Sequence, residues 1–382
     1  MKQLQDMRKL FPLLETKTHL DVAFKCPLSN RVVQTMHDFL ADYQRTGGDK
    51  KSWLQMVERA RAVFAQMIHA EPEEIAFVKN TSEGLNTIAW GIGLKPGDNI
   101  ILNDLEHTNN IQPWLNQQRF GVEIRWIRNQ DGRILPEAVN ALMDERTRIV
   151  AISSVQYKNG FRTDLKGISE VCRKADALFV VDAIQHLGVL LLDAPYCHVD
   201  VICCGGHKFL LGPHGIGVMY VSNSCVDRII PPFVGLNAMN AVVLSGKHFA
   251  EQKIVFGKDA RKFEYAYMNF VGVAGLMASA EMLMEVGIDA IERHVLSLNQ
   301  ALVQRLRQHG ANILSPLGER ECSAILTIKL KDPKHFESAM INEGVIATVR
   351  DGTLRISFHL YSTIEDLNPL MECLFNAGEL ER

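Results

Sequence analysis

A lysine at the end of a predicted buried strand is the first residue whose setting suggests chemistry. Residues 201–204 are apolar, two glycines follow, and His207 and Lys208 come next, ahead of a glycine-rich turn and a second apolar segment. Lysine is seldom buried unless it is paired or reactive, and burial lowers its pKa, which frees a neutral amine for Schiff-base chemistry. The alternative is a solvated turn lysine beside a capping histidine, and the dipeptide alone favours that alternative.

Polar groups also follow other apolar segments. Asp182 closes the segment FVVD, and Gln185 comes shortly after it. A carboxylate in such a place must find a cationic partner in a dry site. His107 follows the segment NIILN, and Gln156 follows the segment that ends in AISS. A lone histidine there is more often a satisfied surface residue, so the position of His107 alone decides nothing.

The segment NTSEG lies where a predicted strand turns into a helix, and it contains Thr81 and Ser82. Free backbone N–H groups and two hydroxyls at a helix start form an anion site, although an ordinary N-cap explains the segment equally well. Taken together, an anion site, the imidazole of His107, the carboxylate of Asp182 and the amine of Lys208 are the parts that pyridoxal phosphate requires. The carboxylate keeps the pyridine nitrogen protonated, so that the ring accepts electrons.

Strands and helices that alternate along the chain must position these groups. Continuous apolar strands between helices predict an α/β fold with a mainly parallel sheet covered on both faces, and ligands then bind beyond the carboxyl ends of the strands. After Gly257 a segment that starts a long helix leads to a small α+β unit. A stripe at helical spacing predicts a core-facing helix; it comprises Trp53, Val57, Ala60, Phe64 and Met67.

The composition excludes several classes of protein. The chain has 382 residues, 47% of them hydrophobic, and a net charge of −3 with both signs interspersed, which predicts no nucleic-acid partner. Its N-terminus has no continuous apolar stretch typical of a secretory signal, and no apolar run reaches the length of a membrane span. Eight cysteines without a CxxC pair are typical of reduced thiols. We therefore expect a soluble cytoplasmic protein with no membrane contact.

The combined motifs resemble those of the class V aminotransferase and cysteine desulfurase family, pyridoxal-phosphate enzymes of fold type I. NTSEG is similar to the family's GTTEG, EHTNNIQPW to EHHANIVPW, VDAIQ to VDGAQ, and GGHKFLLGPHGIG to SGHKLYGPTGIG. The resemblance implies phosphate binding by Thr81, Ser82 and His207 and a Schiff base with Lys208. It places His107 on the cofactor ring, Asp182 at the pyridine nitrogen, and Gln185 at the ring hydroxyl.

The same resemblance implies the domain organisation and the substrate. LRISFHLYST resembles the family's C-terminal strand, whose arginine, here Arg355, binds the substrate α-carboxylate; Ala23 is expected beside the substrate as well. The expected fold has a large domain with a mainly parallel seven-stranded sheet, over residues 21–261, and a small α+β domain from residues 1–20 and 262–382. A homodimer with active sites at the subunit interface is also implied. Loops at 19–27 and 236–250 are expected to shape the side-chain pocket.

The chain also departs from the family's pattern. Gly205 replaces a phosphate-binding serine, and Gln156 stands where desulfurases have asparagine near the ring hydroxyl. Tyr267 occupies the place of a threonine that reaches the partner subunit's phosphate, and is therefore a candidate cofactor contact. Residues 349–355 form a short segment with a DGT turn and no cysteine, where desulfurases have a longer loop that carries the sulfur-accepting cysteine.

Two cysteines elsewhere are the remaining candidates for a sulfur acceptor. Cys203 and Cys204 lie in an apolar strand and are expected in the core, since free cysteine is among the most buried residue types. Cys26 is expected to pack before Pro27, and Cys322 enters a strand of the small domain. We therefore expect no persulfide chemistry.

The favoured hypothesis is a lyase that cleaves the C–S bond of a cysteine-like α-amino acid after Lys208 removes the Cα proton. A class V aminotransferase and an epimerase similar to isopenicillin N epimerase are alternatives that share this first step, and a cysteine desulfurase is a further one. An epimerase needs a second acid on the opposite face of the ring, which the sequence does not identify. A non-catalytic scaffold on the same fold is disfavoured because Asp182, His207 and Lys208 are all present.

Overall fold

A computed structural model describes residues 2–235 and 254–381 of the chain. Its largest element is a seven-stranded sheet in the order β2-β8-β7-β6-β5-β3-β4. The strands are β2 (Ile75–Val78), β3 (Asn99–Asn103), β4 (Glu123–Ile127), β5 (Thr147–Ser153), β6 (Leu178–Asp182), β7 (Val201–Gly205) and β8 (Gly217–Val221). β8 runs antiparallel to both of its neighbours and the other pairs are parallel. The predicted mainly parallel seven-stranded sheet is confirmed.

Helices surround this sheet, and the apolar strands between them are buried. The helices are α1 (Lys2–Arg8), α2 (Asn30–Thr46), α3 (Lys50–Met67), α4 (Thr81–Gly91), α5 (Gln112–Leu115), α6 (Pro136–Asn140), α7 (Leu165–Lys174), α8 (Phe270–Val286), α9 (Ile288–Gln308), α10 (Pro333–Glu343) and α11 (Leu367–Asn376). The predicted stripe on α3 faces inward: Val57, Ala60, Phe64 and Met67 are buried, and Trp53 packs against Phe270. In the described part of the chain no single helix is both long and apolar enough to cross a membrane, although α8 and α9, bent by 78°, pass that test as a pair.

The start of α8 differs from the expectation that the segment KFEYAYMN already belongs to a long helix. A 3-10 turn at Ala260–Phe263 comes first, and the α-helix begins at Phe270. The side chain of Asn269 accepts a hydrogen bond from the backbone N–H of Gly272 at 3.0 Å. This is an N-cap, and it fixes the first turn of the helix at that point.

A second, smaller sheet contains β9 (Ile325–Lys329), β11 (Thr348–Arg350) and β12 (Thr353–Ser357) in the order β11-β12-β9. β1 (Thr18–His19) pairs in parallel with β10 (Val345–Ile346), so the N-terminal segment lies beside C-terminal residues. This pairing accords with placing residues 1–20 and the C-terminal part in one domain. The proposed boundaries of the two domains remain a prediction.

The hairpin between β11 and β12 has a two-residue loop, the shortest of the usual hairpin connections. Arg350 pairs with Thr353, so only Asp351 and Gly352 connect the strands. Both residues have positive φ, 51° and 74°, as a type I′ turn requires; Asp-Gly is one of the preferred pairs for that turn. The predicted tight turn in this segment is confirmed. With only two residues between the strands, the hairpin is too short to form a loop that extends away from the sheet.

A buried ion pair ties α3 to the segment before α8. Arg61 is 1% exposed, and its Nη1 donates to Glu264 at 2.9 Å. The same guanidinium donates to the carbonyl of Ile75, and the carboxylate of Glu264 also accepts from the backbone N–H of Phe77 at 2.7 Å. The pair therefore holds β2, whose carboxyl end leads directly to α4.

Removing one partner of this pair should destabilise the fold. Arg61→Met leaves the Glu264 carboxylate buried without its cation, and we expect a loss of about 3 kcal/mol in the free energy of unfolding. Arg59→Met is the matched control on the same helix, because the Arg59 side chain is 68% exposed and its pair with Glu281 is at the surface. Its loss should stay below about 1 kcal/mol. Urea denaturation checks both, and equal losses would contradict a special role of the buried pair.

Candidate active site

Two adjoining cavities lie at the carboxyl edge of the large sheet. The inner cavity has a volume of about 290 Å³ and the outer one about 670 Å³. The inner cavity is lined by Phe24, Asn80, Thr81, Ser82, His107, Asn109, Ser153, Tyr157, Asp182, Ile184, Gln185, His207 and Lys208. Phe24, His107, Tyr157 and Lys208 also line the outer cavity, together with Arg355 and Ala23. The structure therefore brings most of the predicted site residues to one place.

Lys208 stands between the two cavities, three residues beyond the end of β7. Its pKa is lowered to about 8, chiefly because burial penalises the charged form, with a further contribution from the positive charge of Arg355. The carboxylate of Asp182 acts in the opposite direction. A pKa of about 8 leaves a minor fraction of the amine neutral at pH 7, and this neutral form is the one that nucleophilic attack and proton abstraction require.

Asp182 is the last residue of β6 and is 3% exposed. Its Oδ1 accepts a hydrogen bond from the backbone N–H of Ile184 at 3.0 Å. Burial raises its pKa to about 7, and the nearby charge of Glu106 adds to this effect. Among the described residues no basic side chain lies within ion-pair distance of this carboxylate. A cationic group of a ligand in the inner cavity is the partner that would stabilise its charged form.

The N-terminus of α4 borders the same cavity. Asn80 caps the helix by accepting from the backbone N–H of Glu83 at 2.9 Å. Thr81 Oγ1 accepts from the backbone N–H of Gly205 at 2.9 Å, which leaves the hydroxyl proton of Thr81 to donate elsewhere. Together with the hydroxyl of Ser82, these groups form an anion site at a helix start.

The imidazole of His207 lies against Gly205. A Cβ atom at position 205 would come within 3.2 Å of His207 Cε1. The ring of His214 stacks on that of His207, with centroids 4.4 Å apart and an angle of 22° between the planes. Burial lowers the pKa of His207 to about 4, so the ring is neutral. A serine at position 205 would crowd this ring, which gives a physical reason for the missing hydroxyl.

His107 packs edge-on against Tyr157, with ring centroids 4.9 Å apart and planes at 82°. Its Nδ1 accepts from the backbone N–H of Asn109 at 3.1 Å. Burial and the positive charge of Lys208 lower the pKa of His107 to about 4. The imidazole is therefore neutral, and its orientation is fixed before any ligand enters.

Glu106 is a buried residue whose part in the site the motifs did not reveal. Its carboxylate accepts five hydrogen bonds, from the side chains of Asn103, Asn110, Ser153 and Gln156 and from the backbone N–H of Ser153. These contacts join the carboxyl ends of β3 and β5 directly behind His107. In the sequence, the position of Glu106 shortly after an apolar strand was the signal that could have identified it. A glutamate at the end of a buried strand requires several hydrogen-bond donors.

The two glutamines occupy different places. Gln185 lines the inner cavity, its Nε2 donates to the carbonyl of Ala23 at 3.1 Å, and its buried Oε1 has no partner. Gln156 is fully buried behind the cavity wall, where its Nε2 donates to Glu106 at 3.1 Å. The contact predicted between Gln156 and the cofactor ring therefore remains a prediction, whereas Gln185 offers an unpartnered oxygen at the cavity.

Arg355 lies on β12 and points its guanidinium to the outer cavity. Its Nη1 donates to the carbonyl of Tyr157 at 3.2 Å and its Nη2 to Thr348 Oγ1 at 3.3 Å, and Asp21 lies 3.7 Å away. Its buried Nε has no hydrogen-bond partner among the described residues. An arginine held at two nitrogens with a third unpartnered suits the binding of a ligand carboxylate.

Two other predicted features of the site are not found at the cavities in the described part of the chain. The side chain of Tyr267 is 67% exposed, lines neither cavity, and accepts a hydrogen bond from Lys50 Nζ at 2.9 Å. Its predicted contact with the partner subunit's cofactor remains a prediction. The loop at 236–250, expected to shape the side-chain pocket, lies outside the described residues.

The cysteines occupy places that do not suit a sulfur acceptor. Cys26 is buried, its Sγ donates to the carbonyl of Gly212 at 3.5 Å, and burial raises its pKa to about 12. Cys322 donates to the carbonyl of Gly318 at 3.4 Å, and burial raises its pKa as well. In the described part of the chain no cysteine lines either cavity. A thiol that transfers sulfur must be a reachable thiolate.

The inner cavity fits pyridoxal phosphate on its donor chemistry. The N-terminus of α4 offers donors for a phosphate, the Gln185 oxygen is an acceptor without a partner among the described residues, Asp182 has no ion pair there, and Lys208 carries a partly neutral amine. Among the described residues, none of these groups has the partner that this cofactor would supply.

Comparisons with known proteins agree with this fit. The family profile described as Aminotransferase class-V matches residues 18–370. A probable cysteine desulfurase of Methanothermobacter thermautotrophicus is 28% identical over 403 residues, covering 97% of each protein. The apo structure of a cysteine desulfurase from Thermococcus onnurineus NA1 has a TM-score of 0.87 at 24% identity, covering 97% of this chain and 96% of that one. A complex of the cystine C-S lyase C-DES with its product cysteine persulfide has a TM-score of 0.86 at 21% identity, covering 96% and 99%.

The two solved structures show a shared fold, and the family profile extends over nearly the whole chain. The inner cavity carries the hydroxyls, the carboxylate and the amine that this cofactor would engage. The chain therefore belongs to the class V aminotransferase family and is a pyridoxal-phosphate-dependent enzyme.

Proposed function

We propose that the enzyme is a C–S lyase, which eliminates the β-substituent of a cysteine-like α-amino acid without a persulfide-forming cysteine. The observation that carries this proposal is the hairpin of β11 and β12. Its two-residue turn stands beside Arg355, and the described walls of both cavities contain no thiol. Elimination needs no sulfur acceptor on the protein, whereas desulfuration through a persulfide does.

Different residues of the site bind the substrate, remove its Cα proton and stabilise the resulting charge. Arg355 binds the substrate α-carboxylate, since it lines the outer cavity beside Lys208 and carries a positive charge. Lys208 removes the Cα proton with its neutral amine, whose pKa is about 8. Bound pyridoxal phosphate supplies an acceptor for the electrons of the broken C–H bond, and Asp182 holds a proton at the pyridine nitrogen. The outer cavity, of about 670 Å³, leaves room for a sizeable sulfur substituent.

The similar proteins point in two directions. C-DES is named a cystine C-S lyase and shares the fold. The probable desulfurase at 28% identity favours the alternative of a persulfide route. Formation of pyruvate and ammonia from cystine or a cysteine conjugate tests the lyase, and their absence would overturn it.

A homodimer accords with the surface around the cavities. Several large apolar side chains are exposed: Phe24, which lines both cavities, and Ile230, Phe233, Ile254 and Tyr267. Exposed apolar side chains that form a contiguous patch are typical of an interface between proteins. We propose that a second copy of the chain covers them.

Replacing Lys208 should abolish turnover without unfolding the protein. Lys208→Ala removes both the Schiff-base amine and the base, while Thr81, Ser82 and Asp182 still bind the cofactor non-covalently. Borohydride treatment should attach the cofactor to the Lys208 peptide in the wild type and in the control Lys174→Ala, which changes an exposed residue of α7. Near-normal turnover in Lys208→Ala would refute this role.

Replacing Asp182 should slow proton abstraction. In Asp182→Asn a neutral amide no longer keeps the pyridine nitrogen protonated, and we expect exchange of the substrate Cα proton to fall roughly 100-fold or more. Asp176→Asn is the matched control, because Asp176 is exposed just before the opposite end of β6. NMR of the exchange in D₂O measures both variants, and unchanged exchange in Asp182→Asn would place the function of the carboxylate elsewhere.

The two candidate cysteines should be dispensable. The double variant Cys26→Ser, Cys322→Ser should keep turnover within about twofold. Activity must be normalised to the amount of folded protein, because a serine hydroxyl in place of the buried Cys26 thiol can destabilise the fold. A loss of sulfur release above about tenfold, equal to roughly 1.4 kcal/mol in the barrier, would instead favour a cysteine desulfurase.

A further inference from the structure

Tyr157 lines both cavities, which it shares with Phe24, His107 and Lys208. Its side chain is half-buried and packs against the ring of His107. The hydrogen bond made by Tyr157 uses its backbone carbonyl, which accepts from Arg355. Among the described residues the phenol hydroxyl has no hydrogen-bond partner. A hydroxyl without a partner between these cavities is available to a ligand.

The backbone around Tyr157 is held on both sides. Gly160 N–H donates to the carbonyl of Gln156 at 2.8 Å, and Gln156 N–H donates to the carbonyl of Phe161 at 2.9 Å. The carbonyl of Lys158 accepts from Thr327 Oγ1 at 2.9 Å. The phenol is therefore carried on a fixed turn, as a group that transfers a proton in a defined geometry must be.

The other groups that face Tyr157 are poor acids. His107 and His207 are neutral at pH 7 because their pKa values are lowered to about 4. Burial raises the pKa of Asp21, but this carboxylate accepts from Thr348 and faces Arg355, and both favour its charged form. Burial raises the pKa of Tyr157 above its usual value, so the phenol keeps its proton. Two lysines are exceptions: Lys158, which lines the outer cavity, and Lys208 after it has taken the Cα proton.

We propose that Tyr157 is the general acid that protonates the leaving sulfur, and that the substrates are cysteine thioethers whose leaving thiols are too weakly acidic to depart as thiolates. This assignment rests on the proposed lyase function. An alkyl thioether needs such a donor because the alternative is a poorly stabilised thiolate in a partly dry cavity.

The step balances without a further reactant. As the Cβ–S bond breaks, its electron pair goes to sulfur, and the proton of the Tyr157 hydroxyl forms the new S–H bond. The electrons left by the Cα proton, which Lys208 has removed, form a Cα=Cβ double bond. The phenolate regains a proton from water, and hydrolysis of the remaining fragment yields pyruvate and ammonia beside the free thiol.

The test compares two substrates in Tyr157→Phe, which keeps the ring and removes the hydroxyl. S-ethyl-L-cysteine has a weakly acidic leaving thiol, and S-(4-nitrophenyl)-L-cysteine has a strongly acidic one. We expect the rate of thiol release to fall about 100-fold for the first and less than about threefold for the second. Tyr196→Phe, at an exposed position whose ring packs under Lys166, is the matched control and should change neither rate.

Two further measurements separate proton donation from packing. Exchange of the Cα proton and the dissociation constant of L-norleucine, in which a CH₂ group replaces the sulfur of S-ethyl-L-cysteine, should both remain unchanged in Tyr157→Phe. Equal rate losses for the two conjugates, no loss for either, or a weaker binding of norleucine that matches the rate loss would overturn the assignment to Tyr157. If the wild type exchanges the Cα proton yet releases no thiol from either conjugate, the lyase function itself is wrong and the assignment falls with it.

Discussion

The Asp182 carboxylate, buried at the end of β6, imposes the constraint on which the site depends. The strand carries it into a region where it has one backbone donor and no ion pair among the described residues, so its charged form requires a cation from outside the chain. The parallel neighbours bring Ser153 and Cys203 level with it, and Lys208 follows the latter strand. The cofactor thus completes an electrostatic arrangement that the protein alone leaves unbalanced.

Glu106 is a second buried carboxylate near Asp182, but its hydrogen-bond partners differ. Its carboxylate is as deeply buried as that of Asp182, yet it accepts five hydrogen bonds from the chain itself. One acid is therefore satisfied internally and fixes the strand ends, while the other is left for the ligand. The negative charge of Glu106 also raises the pKa of Asp182, which strengthens the affinity of Asp182 for a proton shared with a bound ring.

The sequence predicted the parts of the fold and site that depend on local pattern. Strand β3 covers the segment NIILN and strand β6 ends at Asp182, as predicted, because apolar runs are local signals. The network of Glu106 and the pairing of β1 with β10 could not be predicted, since they join residues distant in the chain. The proposed role of the Tyr157 hydroxyl could not be predicted for the same reason, since only the fold shows that this tyrosine lines both cavities.

The β11-β12 hairpin shows how backbone conformation limits chemistry. The register that pairs Thr348 with Arg355 places the threonine hydroxyl on the guanidinium, and two residues of positive φ close the strands directly beyond Arg350. A longer loop from this point could swing a nucleophile over the substrate, but a type I′ turn cannot, because its ends are held by the ladder. Chemistry at the substrate side chain must then come from the fixed walls of the cavity. One of these walls is the turn that carries Tyr157, whose backbone carbonyl accepts a hydrogen bond from Arg355. The proposed carboxylate-binding group and the proposed proton donor are therefore held by one connected structure.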